Sequence, residues 1–261
     1  MINPLRTVYD YTYPQNPLTH KRHFHLLPQS VEFWLGERQY MSTIQDEGGI
    51  WDHPKYAQLF ENMLQNMAPH TKHEYFPWKI TLIDCSELNA WAMPGGRIAV
   101  YRRLIDAIAS EKRDFGLGTL SLEDRFAAIV GHEMVHPAAN HTAHQIAFSI
   151  YSIFFRIALL IFLPGLNSEA IRFLSDLFLL SRGRSHELEA DRYGMHIMAD
   201  AGYDPKAALW LQHFFIANTK EDGGWLEWIA NWLNDHPSSL ERLEANKITL
   251  AEIRNSSRFI A

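Results

Sequence analysis

The sequence predicts an α+β fold, mostly helical with one small sheet built on a hairpin, and three observations carry that reading. Residues 79 to 101 hold the only sustained β-branched alternation, KITLID followed by NAWAM, a Pro-Gly-Gly turn and RIAVY, the pattern of short half-buried strands. From Ser121 onward almost every segment reads as helix, with start and stop signals at its ends. No repeat, low-complexity tract or linker breaks the 261 residues, so one domain is expected over 29–261 behind an irregular arm at 1–28.

The elements follow in order. The arm is rich in Tyr, Pro, Asn and His without periodicity, and no chemistry is expected of it. Ser30 precedes VEFWLGERQYMSTI as an expected N-cap, with Val31, Trp34, Leu35 and Tyr40 sharing the expected packing face; HPKYAQLFENMLQNM follows Gly48 and Gly49 as a second packing helix. Ser121 and Asp124 have capping-box spacing ahead of the segment that contains GHEMVH. Later, Gly202 is suited to close a helix, and Asp204-Pro205 to cap and start the next, KAALWLQHFFIA.

Charge and cysteine content narrow the function. Thirty acidic against 24 basic side chains leave a formal charge of −6, which argues against a nucleic-acid binder working by phosphate neutralisation. The 47% hydrophobic content supplies a packed core and excludes wholesale disorder. Cys85 is the one cysteine among 14 histidines, so a metal site must draw on imidazole and carboxylate. No targeting signal is readable in the first residues.

His132, Glu133 and His136 form HEMVH on an expected helix, where imidazoles four residues apart share a face and Glu133 can reach a water beside one bound ion. Alone, the motif favours a metal site over the alternative of a helix whose histidines face solvent or a satisfied polar pocket. A third histidine ligand in metzincin register is missing, because position 142 is Thr142 and position 139 is Ala139. His141 and His144 miss that register and are expected to be surface or structural. In SHELEADRYG, Glu187 and Asp191 lie four apart on one face; Glu187 is assigned to the metal and Asp191 to orienting a ligand imidazole, while Glu189 points elsewhere as a solvated or salt-bridged group.

These segments together, NAWAMPGGRIAVYRRLI, GHEMVHPAANHTA, SRGRSHELEADRYG and HPSSLERL, resemble the zinc metallopeptidase family of HtpX-type heat-shock proteases and CAAX prenyl endopeptidases. The resemblance is closest to its mitochondrial inner-membrane stress proteases and bacterial periplasmic members, and spans about residues 79–243. It implies a gluzincin-type domain with one Zn2+ per chain on His132, His136 and Glu187, a base at Glu133 and an acid at Asp191. It also matches His236 and Arg242 to the family's late His-Pro and Arg positions. His236 then has two available roles, an oxyanion donor or a regulatory fourth ligand. Pro137 departs from the pattern, since its ring kinks the helix before it can continue through His141.

Between the expected ligands lies IAFSIYSIFFRIALLIFL, residues 146–163, roughly 27 Å as a helix against a hydrocarbon core of ~30 Å. Arg156 near its middle and the need for both ligand helices on one side of a bilayer argue against a crossing. A helical hairpin of 146–163 and 170–180 is expected instead, dipping into one leaflet, packing on the body or joining a homo-oligomer. Trp225, Trp228 and Trp232 are spaced for one helical face. Asn89, Ala90, Trp91 and Ala92 are the candidate sheet edge for an extended peptide, with an interior strand as the alternative. The expected function is a zinc metalloendopeptidase acting on unfolded or membrane-associated polypeptides in protein quality control, placed in the bacterial envelope or at the mitochondrial inner membrane. A catalytically silent or chaperone-like module on the same fold is the competing reading.

Overall fold

The computed structural model describes residues 9–10, 12–22, 28–73, 75–141, 168–218 and 240–257, with side chains from residue 183 onward in the helix that begins at Ser168. Its architecture is mostly helical α+β. Helices α1 (Gln29–Asp46) and α2 (Pro54–Met67) precede strands β1 (Lys79–Ile83), β2 (Ala90–Met93) and β3 (Arg97–Tyr101); α3 (Arg102–Ser110), α4 (Leu122–Ala138), α5 (Ser168–Asp200), α6 (Lys206–Asn218) and α7 (Leu240–Ser257) follow.

The sheet has the order β1-β3-β2, with β2 and β3 antiparallel and β1 parallel to β3. The antiparallel pair is the expected hairpin, closed by Gly95 and Gly96 at φ 84° and 77°, a backbone region that side chains other than glycine rarely enter. Among the described residues β2 is therefore an edge strand. The outer side of β1 is partly covered, because Trp51 N–H donates to the Leu82 carbonyl and Asp84 N–H to that of Gly49.

Helix α4 is the centre of the molecule. Ser121 accepts from the Asp124 N–H while Asp124 accepts from the Ser121 N–H, so both halves of the capping box form. From Phe126 to Ala138 every residue is buried, which explains why the segment lacks an amphipathic stripe: a helix packed on all sides is apolar all round. Phe60 of α2 and Trp210 of α6 lie in the same core as Phe126. Pro137 ends the helix within a turn. Ala139 N–H still reaches the Val135 carbonyl, but Asn140 takes a left-handed φ of 61° and the chain turns back.

Two expectations are corrected. Helix α1 starts at Gln29 with Pro28 before it and no side-chain cap, so Ser30 lies inside the first turn. The buried face of α1 is Glu32, Gly36, Tyr40 and Ile44, while Trp34 and Val31 are exposed; Tyr40 is drawn inward by donating to Thr81 Oγ1 at 2.7 Å. Residues 170–180, the second arm of the expected hairpin, are helical and run without a break into the segment bearing Glu187 as part of α5. The other proposed arm, 146–163, and the tryptophans at 225, 228 and 232 lie outside the described residues. Among the described residues no helix is long and apolar enough to cross a membrane.

Helices α4 and α5 cross at two glycines. A Cβ placed on Gly194 would lie 2.9 Å from the Gly131 carbonyl carbon and 3.0 Å from the His132 nitrogen. All of these are backbone atoms, so nothing can rotate aside. Gly183, on the same α5, has nothing among the described residues within 4 Å of its would-be Cβ. Gly183→Ala is expected to be neutral or to stabilise by up to about 1 kcal/mol through helix propensity. Gly194→Ala should instead lower stability by about 1–3 kcal/mol, since overpacking outweighs that same propensity gain. Chemical denaturation of the two variants side by side tests the difference; equal midpoints would show that the crossing tolerates a methyl.

Candidate functional site

The site is assembled where α4, α5 and α7 meet. His132 and His136 stand one helical turn apart on α4, and α5 brings Glu187 against them. His132 Nε2 lies 3.3 Å from His136 Nε2 and 3.3 Å from Glu187 Oε2, and His136 Nε2 lies 3.5 Å from Glu187 Oε1. These three residues form a group of buried donor atoms within 4.8 Å of one another.

The tautomers can be assigned from the partners. His132 Nδ1 is 2.9 Å from Asp191 Oδ1; an ionised carboxylate only accepts, so Nδ1 carries a proton and Nε2 is the nitrogen that would offer its lone pair to a metal. That lone pair faces a Glu187 oxygen, an arrangement that repels unless a cation lies between them. The spacing fits a metal. Four ligands at about 2.05 Å in tetrahedral array have donor atoms about 3.3 Å apart, against the 3.3, 3.3 and 3.5 Å found here.

Charge points the same way. Glu133, Glu187 and Asp191 are buried carboxylates and Arg242 is a buried guanidinium, so with the carboxylates ionised and His132 neutral, as a metal ligand must be, three negative charges less one positive leave an excess of two. A divalent cation would neutralise it. Burial disfavours a charged His132 ring, yet Glu187 and Asp191 outweigh that and push its pKa up to about 10. The field that would hold a proton there equally favours a metal ion. Burial alone would raise the Asp191 pKa, but Arg242 and His132 hold it below the usual carboxylate range.

Arg242 reaches in from α7 and ties the carboxylates together. Its Nε donates to Asp191 Oδ2 at 2.7 Å, Nη2 to Asp191 Oδ1 at 2.7 Å, and Nη1 to Glu187 Oε2 at 2.9 Å. This bidentate fork leaves the guanidinium plane no freedom. Glu133, adjacent to His132 on α4, is fully buried beside the cluster and contributes to the field at Arg242.

Of the sequence candidates, His132, His136, Glu187, Asp191 and Arg242 are thus brought together. Asn89, Ala90, Trp91 and Ala92 lie on or beside the β2 edge, which packs next to α4. The Trp91 indole is turned to Glu47 Oε2 at 3.0 Å and the Tyr101 hydroxyl at 3.2 Å. His236 lies outside the described residues, as does His144. His141 is buried, with Nδ1 3.2 Å from His136 Nδ1, a neighbour that the expectation of a surface or structural histidine did not anticipate. Glu189 is salt-bridged to Lys21; burial raises its pKa, but His141 and Lys21 bring it down to about 2. The arm residue Lys21 thus carries an interaction the sequence did not reveal, since nothing in residues 1–28 has a metal-site pattern.

Comparison with known proteins finds peptidases. A family model described as peptidase family M48 matches residues 54–249. The mitochondrial metalloendopeptidase OMA1 of Schizosaccharomyces pombe is 26% identical over 232 residues, covering 87% of this chain and 63% of the relative. The protein of that name from Arabidopsis thaliana is 28% identical over 174 residues, covering 66% and 32%. The β-barrel assembly-enhancing protease of Escherichia coli is 21% identical over 191 residues, covering 67% and 36%. The chain therefore spans between about a third and two thirds of the length of these relatives.

Removing the guanidinium while keeping the volume, Arg242→Met, would leave Asp191 and Glu187 buried without their cation. A loss of about 3–5 kcal/mol is expected in denaturant titration. Arg242→Lys keeps the charge but not the fork, and should fall between Arg242→Met and wild type; indistinguishable stabilities for all three would contradict the proposed tie.

Proposed function

The chain belongs to peptidase family M48, and from that premise we propose that it is a zinc-dependent endopeptidase with His132, His136 and Glu187 as metal ligands. The observation that carries the reading is the convergence of two imidazole Nε2 atoms and a carboxylate at near-tetrahedral spacing, with Glu133 next in sequence to the first of them. Three protein ligands leave one position open, as catalytic rather than structural zinc requires.

Zinc bound there would supply Lewis acidity, polarising a peptide carbonyl and acidifying water. Glu133 would take the proton from the attacking water and deliver a proton to the leaving amine. Asp191 keeps His132 in the tautomer whose Nε2 faces inward. Arg242 holds Asp191 and Glu187 in place from the far side. His236, the sequence's candidate for the developing oxyanion, would donate a hydrogen bond to it.

An extended polypeptide segment is the substrate class we favour. The free edge of β2 lies beside α4, and strand addition there would hold a peptide by main-chain hydrogen bonds with little demand on its sequence. A role in protein quality control at a mitochondrial or bacterial membrane is supported by the kinds of protein the chain resembles. The segment at 146–180 remains our candidate for membrane-surface or homo-oligomer contact. The silent-module reading is disfavoured because both the ligand set and Glu133 are intact.

Glu187→Ala is expected to lose the metal, about one zinc per chain in the parent by elemental analysis. Glu133→Gln should retain zinc yet cleave an unfolded substrate such as casein about 10²-fold or more slowly, because base and ligand are separate groups. Comparable cleavage by Glu133→Gln would sink the mechanism. For His236→Ala, turnover should drop about 10²-fold with zinc content unchanged; higher activity together with weaker zinc retention would make His236 a regulatory ligand instead.

A further inference from the structure

We propose that His141, Glu189 and Lys21 form an orienting chain that holds the ring of His136 with its Nε2 toward the metal position. The inference rests on the ligand set proposed above and extends it to residues outside that set. His136 Nδ1 and His141 Nδ1 are 3.2 Å apart, with the two rings inclined at 72°. If His136 offers a lone pair at Nε2, its neutral ring carries the proton on Nδ1, and that N–H donates to His141 Nδ1. His141 must then carry its own proton on Nε2.

That second nitrogen meets the right partner. His141 Nε2 and Glu189 Oε1 are both buried without a hydrogen-bond partner among the described residues, and they face each other at 3.8 Å. The gap is longer than a hydrogen bond and too short to seat a water between them, so a small rotation closes it. Glu189 Oε2 is in turn paired with the Lys21 ammonium. The polarity runs one way throughout, from His136 N–H to His141, from His141 N–H to Glu189, with Lys21 closing the chain as a cation.

Three features hold the chain in place. His186 stacks on the His141 ring at 4.2 Å with 12° between planes. The left-handed turn at Asn140 returns the chain after Pro137 so that His141 lies beneath His136. The segment bearing Lys21 is anchored to both ligand helices: Asn16 Nδ2 donates to the Ala138 carbonyl at 2.6 Å, and the Tyr193 hydroxyl donates to the Thr19 carbonyl at 3.3 Å. On the opposite ligand, Asp191 and Arg242 do the same for His132. Each imidazole is thus backed by an acceptor and, at the end, a fixed cation. His141 is not itself placed as a ligand, because it meets His136 at Nδ1, away from the inward Nε2.

The test measures zinc affinity by chelator competition, and the visible spectrum of the cobalt-substituted full chain, neither of which needs turnover. His141→Phe keeps the ring stack and removes the acceptor; it should weaken zinc binding about 10- to 100-fold and shift the cobalt bands. His141→Gln supplies a carbonyl acceptor and an amide donor and should restore affinity to within about 3-fold of wild type. Lys21→Met, at an exposed position that does not endanger folding, should weaken binding in the same direction by a smaller factor. Wild-type affinity and spectrum in His141→Phe, with zinc lost in Glu187→Ala, would overturn the orienting chain alone. Zinc binding undiminished in Glu187→Ala would overturn the ligand set and the chain with it. Equal losses in His141→Phe and His141→Gln would reduce His141 to packing and also overturn the proposal.

Discussion

The close approach of α4 and α5 is the constraint on which the rest of the molecule depends. His136 and Glu187 are separated by 51 positions in the chain, yet their donor atoms must come within about 3.5 Å to share one ion. Ordinary helix pairs are held 8–10 Å apart by their side chains, and glycine on both faces brings the backbones closer. Gly131 directly precedes His132, and Gly194 presses on the His132 nitrogen. Spacing between helices and placement of the first imidazole are therefore set by the same contact.

Burying the cluster creates the second problem, which the remaining elements answer. Carboxylates taken out of water cost several kcal/mol each unless they are paired and hydrogen-bonded. Arg242 comes from α7, the last described helix, and pairs with two of them at once. α7 is thereby tied to the centre through charge as well as through the Leu243, Leu250 and Ile253 packing it shares with Met195 and Leu209. The N-terminal segment makes the same kind of connection on the other side, through Lys21 and Glu189. Both ends of the described chain thus converge on one buried polar core.

The sheet bears on function through its topology. Because β3 lies between β1 and β2, the hairpin turns one strand outward with a side unpaired among the described residues, and that strand packs next to α4. An edge strand left open is an aggregation liability that proteins usually cover or charge. Here it is short, four residues, and its open side has a use if polypeptide binds there.

Local signals determined a good deal. The hairpin was legible because Pro-Gly-Gly and β-branched alternation act over a few residues; the capping box of Ser121 and Asp124, the stop at Gly202 and the break at Pro137 are equally local. HEMVH and HELEAD were legible as ligand segments because helical periodicity alone puts residues four apart on one face. The face of α1 was not, since Tyr40 is turned inward by Thr81 across 41 positions. His141, Glu189 and Lys21 carry no pattern that sequence spacing could reveal: they meet only because Asn140 turns the chain back and Asn16 and Tyr193 pin the arm across two helices. Periodicity and turn chemistry are properties of neighbouring residues, whereas which buried donor faces which buried acceptor depends on how the finished helices pack.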